Sequence, residues 1–130
     1  MEAQTKIKEI SINNDIYVLK SEIDNQKLAV NTDGLPFVMI RTYSAGVHFG
    51  FLKSKEYTAA GTIVELINSR RVYYWSGAMT LSQLSLDGTS KPNDCKFTVE
   101  IPLIELNAIE IIAITEKAKE NLTSVKIWKI

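Results

Sequence analysis

Apolar and polar side chains alternate in two neighbouring stretches, with the two-residue period that is typical of half-buried β-strands. These stretches, PFVMIRTY at residues 36–43 and VHFGFLKS at residues 47–54, are separated by the tripeptide SAG. A connection this short that contains glycine predicts a β-hairpin. The runs TIVELINS at residues 62–69 and RRVYYWS at residues 70–76 are rich in β-branched and aromatic residues, which predicts two more strands.

The period changes after Gly77, where AMTLSQLSLDG predicts a helix of two to three turns. Thr80 and Gln83 have the spacing of a capping box, and Gly88 is a typical residue for the end of a helix. The segment TEKAKENL predicts a second short helix, with Thr115 as its N-cap.

The remaining apolar segments complete the predicted architecture. Residues 95–114, CKFTVEIPLIELNAIEIIAI, predict one or two strands in which Pro102 marks an edge, a bulge or a break. The final segment SVKIWKI predicts a last strand. Together the elements predict an α+β fold, a mostly antiparallel curved sheet or open barrel with two short helices.

The length of 130 residues is that of a single domain, and neither an internal repeat nor a low-complexity linker divides the chain. Near the N-terminus, residues 7–12 and 16–19 predict two short strands, and the turn pair Asp33-Gly34 closes a polar stretch. We therefore expect one domain over residues 1–130, in which residues 1–34 form an early hairpin or a less tightly attached arm.

Charge and composition narrow the classes of function. Fifteen basic and fifteen acidic residues give a formal net charge of zero, which argues against general nucleic-acid binding. The first ten residues have no apolar secretory region, and the apolar runs are too short to cross a bilayer. The single cysteine, Cys95, is expected in the core. One cysteine and one histidine make no standard zinc site, and neither a GxSxG nor a Walker motif occurs. We expect no metal, no cofactor and no enzymatic activity.

The register of the first hairpin decides which side chains share a face of the sheet. A three-residue loop that includes Ser44 places His48 on the face opposite to Arg41 and Tyr43. A two-residue loop at Ala45-Gly46 instead gathers four polar or small residues on one face: Arg41, Tyr43, His48 and Gly50. We choose the two-residue loop because it separates apolar from polar side chains more cleanly.

A second polar and aromatic cluster follows at residues 70–77. Strand alternation places Arg70 on one face, with Arg71 and Tyr73 on the other, and Ser76 precedes the first predicted helix. A guanidinium suits a phosphate, an aromatic ring suits a base, and a helix N-terminus attracts anions. The competing interpretation of the first cluster is that Arg41 pairs with a carboxylate such as Glu65, and that of the second is a strand-to-helix corner with Trp75 as a core anchor. The predicted ligand-binding residues are Arg41, Tyr43, His48, Gly50, Arg70, Arg71, Tyr73 and Ser76.

Several long runs, namely RTYSAGVHFGFL, SRRVYYWSGAMTLSQL, NDCKF and TEKAKENL, resemble an uncharacterised family of small proteins encoded by tailed bacteriophages and prophages. The likeness extends over residues 35–129. It implies a phage origin and carries no established activity with it.

Small phage proteins of unknown role commonly disarm the host or form part of the virion. The residue types favour the first group. We therefore expect a non-enzymatic binding protein of the host cytoplasm, a homo-oligomer that sequesters a small anionic, nucleotide-like immune signal or inhibits a host defence protein. The alternative is a decoration or connector protein of the virion, which joins its neighbours through exposed sheet edges.

Overall fold

The computed structural model of the protein describes residues 27–130. The two strands predicted at residues 7–12 and 16–19 lie outside this range. The described elements are five strands, two helices and one 3-10 turn: β1 Phe37–Thr42, β2 Val47–Thr58, β3 Gly61–Tyr74, α1 Leu81–Asp87, the 3-10 turn Pro92–Asp94, β4 Lys96–Phe97, β5 Ile101–Ala113 and α2 Glu116–Thr123.

The five strands form one antiparallel sheet in the order β2-β1-β5-β3-β4. An additional pairing of β2 with β3 connects the four longer strands in a ring, so that the sheet is curved without forming a regular barrel. This confirms the predicted α+β class. Within residues 27–130, no helix combines the length and the apolar character that crossing a bilayer requires.

Apolar side chains cover both faces of the sheet. On the face that carries the helices, Phe37 and Met39 pack in a buried cluster with Phe49, Phe97 and residues of α1 and α2; we call it the helix-side cluster. On the other face lies the opposite-face cluster, formed by Val38, Ile40, Val64, Leu66, Leu106 and Ala108. Alternate residues of β1 therefore belong to different clusters, and the strand is buried on both faces.

The predicted helix caps are confirmed. Thr80 Oγ1 accepts a hydrogen bond from the backbone N–H of Gln83 at 3.1 Å, and Gln83 Oε1 accepts one from the N–H of Met79 at 2.8 Å. The N–H of Gly88 donates to the carbonyl of Leu84 and ends α1. Thr115 Oγ1 accepts from the N–H of Ala118 at 3.0 Å and begins α2.

The predicted two-residue hairpin loop is wrong. Arg41 pairs with Val47 and Ile40 with His48, so five residues, 42–46, lie between the last paired residues of the hairpin. Thr42 closes this longer loop, because its backbone N–H and its hydroxyl both donate to the carbonyl of Gly46, at 3.0 and 2.7 Å. His48 consequently lies on the face opposite to Arg41. Separation of apolar from polar residues was the wrong criterion, because both faces of β1 are buried.

Two strand predictions also need correction. Residues 61–74 form one strand rather than two, with a local irregularity at Asn68, whose φ is 52°. Asn68 and Pro102 lie between the pairs Ile67–Leu103 and Ser69–Ile101, so the proline falls where the ladder is already interrupted. The segment SVKIWKI makes only a single bridge, between Ile127 and Phe97, and is not a strand.

Candidate functional site

Arg70 is a structural residue of the interior. It is 4 % exposed, and its guanidinium lies 5.6 Å from the centroid of the Phe97 ring. It donates to five main-chain carbonyls, those of Thr98 at 2.7 Å, Val125 at 2.9 Å, Phe97 at 3.2 Å, and Leu122 and Lys126 both at 3.5 Å. Burial lowers the pKa of Arg70, and the charge of Glu100 opposes that shift. The predicted ligand-binding role of Arg70 is therefore wrong.

Three further predicted residues lie away from Arg71 and its neighbours. Arg41 Nε is 2.9 Å from Glu110 Oε1, an exposed ion pair with a different carboxylate from the Glu65 of the competing interpretation. Tyr43 is 91 % exposed in the hairpin loop. Ser76 does not begin a helix, because α1 starts at Leu81. The carbonyl of Ser76 instead accepts a hydrogen bond from the hydroxyl of Thr89.

A small pocket opens on the face of β3 opposite to Arg70. It has a volume of about 220 Å³. We call it the Ser69 pocket, and its lining is His48, Ser69, Arg71, Thr98, Val99, Ile101 and Ile104. His48 comes from β2, and Ser69 and Arg71 come from β3. His48 and Arg71 lie side by side because they are paired across the two strands.

Gly50 contributes to this pocket by letting two strands approach each other. A Cβ atom at Gly50 would lie 3.1 Å from both the carbonyl oxygen of Ile67 and Cα of Ser69. Gly50 therefore allows the close approach of another backbone and leaves no room for a ligand. The space is occupied by the backbone of β3.

The side chains of Ser69 and Arg71 are the two polar groups of the pocket without a partner among the described residues. Ser69 is 1 % exposed, and its Oγ is buried with no hydrogen-bond partner among the residues that the structure describes. The backbone N–H of Arg71 donates to Thr98 Oγ1 at 3.0 Å, which fixes the strand against the segment after β4. The Arg71 side chain is exposed and forms no ion pair within residues 27–130.

His48 is buried in the wall of the pocket, at 1 % exposure, with Nε2 at 2.9 Å from the carbonyl oxygen of Ala45. A carbonyl only accepts hydrogen bonds, so Nε2 carries the proton. Burial lowers the pKa of His48, the Ala45 hydrogen bond partly counteracts this, and the positive charge of Arg71 lowers it further. The ring is therefore neutral at pH 7.

An aromatic stack lies near the end of β3. The rings of Tyr73 and Trp128 are 4.7 Å apart between centroids and inclined by 19°, and Lys96 Nζ is 5.4 Å from the Trp128 ring centroid. Tyr73 follows Arg71 by two residues in β3, and the pairing of β3 with β4 shifts register between Val72 and Tyr74. Tyr73 and Trp128 are 63 % and 45 % exposed, which leaves ring surface for a ligand.

The pocket lining thus brings together two of the predicted residues, His48 and Arg71, while Gly50 packs against Ser69 and Tyr73 lies two residues beyond Arg71 in β3. No sequence motif pointed to Ser69, Thr98 or Trp128. Thr98 and Trp128 come from distant parts of the chain, and Trp128 lies in a segment for which a strand was expected. Only the alternation along β3, which places Ser69 on the same side as Arg71, offered a signal.

The polar groups around the pocket can form hydrogen bonds with an anion. A guanidinium, a buried hydroxyl and an imidazole surround the pocket, and no carboxylate lines it. Among residues 27–130, no cluster of three or more His, Cys, Asp or Glu side chains is arranged to hold a metal ion. Cys95 belongs to the helix-side cluster, whereas His48 lies on the other face of the sheet, so the two do not form a dyad.

Residues 35–122 match the family described as Domain of unknown function (DUF6948), and the chain belongs to this family. Searches of curated proteins and of solved structures find no match.

Proposed function

We propose that the protein is a non-enzymatic binding protein whose ligand joins an anionic group to a planar ring, as a nucleotide does. The observation that carries the proposal is that Arg71 of the Ser69 pocket and Tyr73 of the aromatic stack are two residues apart in β3. Arg71 is the proposed contact for the anionic group, and Tyr73, two residues further along β3, is the proposed contact for the ring.

The pocket supports the anionic half of the ligand. Arg71 offers a planar, permanently charged donor that matches phosphate and carboxylate oxygens. Buried hydroxyls are nearly always hydrogen-bonded, and Ser69 Oγ has no partner among the described residues. The volume of about 220 Å³ holds one phosphate-sized group. It is smaller than the roughly 300–1,000 Å³ of pockets that enclose a whole cofactor or drug-sized molecule.

The aromatic stack supports the planar half, which has to lie outside the pocket. Stacking of a base on an exposed aromatic side chain contributes about 1–3 kcal/mol. The ammonium of Lys96, held over Trp128, adds positive charge beside the platform. A ligand with both groups is therefore expected to bind more tightly than inorganic phosphate alone.

Calorimetric titration with inorganic phosphate and with a set of mononucleotides and cyclic dinucleotides tests this proposal. Arg71→Gln removes a charge-assisted hydrogen bond worth about 1.5–3 kcal/mol, so every ligand should bind roughly 10- to 100-fold more weakly. Tyr73→Ala should weaken nucleotides and leave inorganic phosphate unchanged. Arg41→Gln, at the exposed pair with Glu110, is the matched control and should retain full affinity. Unchanged affinity in Arg71→Gln, or no binding by the unmodified protein, contradicts the proposal.

The phage resemblance extends this proposal to a biological setting, the sequestration of a host signalling nucleotide. Heating purified protein from infected cells and identifying the released molecules by mass spectrometry tests that setting. A released nucleotide supports it, whereas a ligand without an anionic group contradicts it.

A second candidate function is assembly into a virion, as a decoration or connector protein. Residues 53–58 of β2 and residues 101–107 of β5 pair only with β3 within the described part of the chain. Each leaves one strand edge with backbone groups that can pair with another chain. Proteomics of purified particles distinguishes this role from the first, since a cytoplasmic binder is absent from them.

A further inference from the structure

We propose that the Ser69 pocket takes up a proton together with its anion, at Nδ1 of His48, so that anion affinity rises as the pH falls. The proposal rests on the proposed function, since it concerns the same pocket. It assigns His48 a regulatory role that the shape of the pocket alone does not require.

The neutral ring of His48 has one defined tautomer. The carbonyl of Ala45 fixes the proton of the neutral ring on Nε2, at a distance of 2.9 Å. Nδ1 then holds a lone pair, and it makes no hydrogen bond within residues 27–130. His48 lines the pocket, and its ring offers an anion a second hydrogen-bond donor only when Nδ1 is protonated.

Within the described lining of the pocket, one residue supplies the charge near His48. Arg71 is the charged residue that faces His48 from β3, Ile40 is its neighbour on β1, and the remaining lining residues carry no charge. No carboxylate of the described lining offsets a charge on the ring. A bound anion supplies the missing negative charge, and it also screens the ring from Arg71. Nearby opposite charge favours the charged form of an ionisable group.

The direction of the pH effect follows. Without an anion, burial and Arg71 hold the pKa of His48 below its ordinary value of about 6.5. With an anion in place the pKa is higher, so binding takes up one proton at pH values between the two. Over that interval, affinity increases by up to about tenfold for each pH unit of acidification. Above the pKa of the anion-bound form, affinity does not depend on the protonation of His48.

Sulfate is the appropriate probe, because its charge stays constant between about pH 5 and 8, the range in which histidine titrates. His48 is the only histidine of the chain, so its ring C–H signals in a proton NMR spectrum need no assignment. We expect the midpoint of the His48 titration to move up by one pH unit or more in saturating sulfate. Sulfate affinity, measured by calorimetry over the same range, should rise as the pH falls.

His48→Gln tests the same point independently. The glutamine amide keeps an N–H donor for the Ala45 carbonyl and has no titratable group. The variant should bind sulfate through Arg71 with an affinity that does not change with pH. The NMR titration of the unmodified protein needs no variant, so it decides the question even where His48→Gln fails to fold.

The outcomes separate the two proposals. Sulfate binding that depends on Arg71 but leaves the His48 midpoint unchanged overturns the proton uptake and leaves the proposed function intact. Failure of the unmodified protein to bind sulfate at any pH overturns both. A raised midpoint together with affinity that increases on acidification, and a flat pH profile in His48→Gln, support the coupling.

Discussion

Arg70 and Arg71 are adjacent in the chain and have opposite roles, because successive residues of a strand point to opposite faces of the sheet. One face of β3 at this point is covered by the end of α2 and the segment that follows it. There the Arg70 guanidinium replaces water with main-chain carbonyls as hydrogen-bond partners. On the other face the Arg71 side chain is exposed beside the Ser69 pocket. The two arginines therefore differ in role because one face of β3 is covered and the other is exposed, and not because of their residue type.

We expect Arg70→Met to lower the free energy of unfolding by about 3 kcal/mol or more. Methionine fills a similar length but donates no hydrogen bond, so several buried carbonyls lose their partner at about 1–3 kcal/mol each. Chemical denaturation followed by circular dichroism measures the loss. Arg71→Met is the matched control one residue further along β3, and it should change stability by no more than about 0.5 kcal/mol. Equal losses in the two variants contradict this assignment of roles.

The sequence predicted that the two arginines lie on different faces, and it did not predict which face is buried. The carbonyls that bind Arg70 belong to residues 27 to 56 positions further along the chain. No local sequence pattern predicts contacts over such separations. The same limit explains why Ser69 was missed, since its burial depends on the close approach of Gly50 from β2.

At the scale of elements, features stabilised by local contacts were predictable, and pairings between elements were not. The caps of both helices depend on residues three or four positions apart, and Thr80 and Thr115 were identified from that spacing. The hairpin register depends on what covers each face of β1, and both faces are covered by distant segments. The final segment shows the same limit, because Trp128 contacts Tyr73 across the sheet without extending a strand ladder.

Thr115 connects the two helices as well as capping one of them. Its hydroxyl accepts from the N–H of Ala118 and donates to the carbonyl of Leu86 at 2.7 Å, and the residue is 3 % exposed. We expect Thr115→Ala to lower the free energy of unfolding by about 2 kcal/mol, the upper end of the range for helix N-caps. Thr80→Ala, at a solvent-exposed cap whose hydroxyl has no second partner among residues 27–130, should cost about 1 kcal/mol.

Thr115→Ser is the conservative control for this comparison, because it keeps the hydroxyl and removes only a methyl group. It should recover most of the stability that Thr115→Ala loses in urea denaturation. If alanine and serine are equally destabilising, the methyl group rather than the hydrogen bonds is responsible, and the account of the helix junction is wrong.

At the scale of the whole molecule, β1 joins two apolar clusters that lie on opposite faces of the same sheet. Phe37 and Met39 pack in the helix-side cluster, and Val38 and Ile40 pack in the opposite-face cluster. Because the four residues are consecutive, detachment of β1 from one cluster also removes it from the other and exposes both. The ring of pairings among the four longer strands adds a second connection between the clusters. We therefore expect the described part of the chain to unfold as one cooperative unit.

Val64→Ala tests this cooperativity, because Val64 is fully buried in the opposite-face cluster whereas Trp75 packs against the helix-side cluster. Removing two buried methyl groups should cost about 2 kcal/mol. In a single cooperative transition, tryptophan fluorescence and far-ultraviolet circular dichroism move to lower denaturant by the same amount. Trp128 lies on the surface near the end of the chain, so Trp128→Phe in both proteins isolates the Trp75 signal. A fluorescence midpoint that stays fixed while the dichroism midpoint falls would show that the two clusters unfold separately.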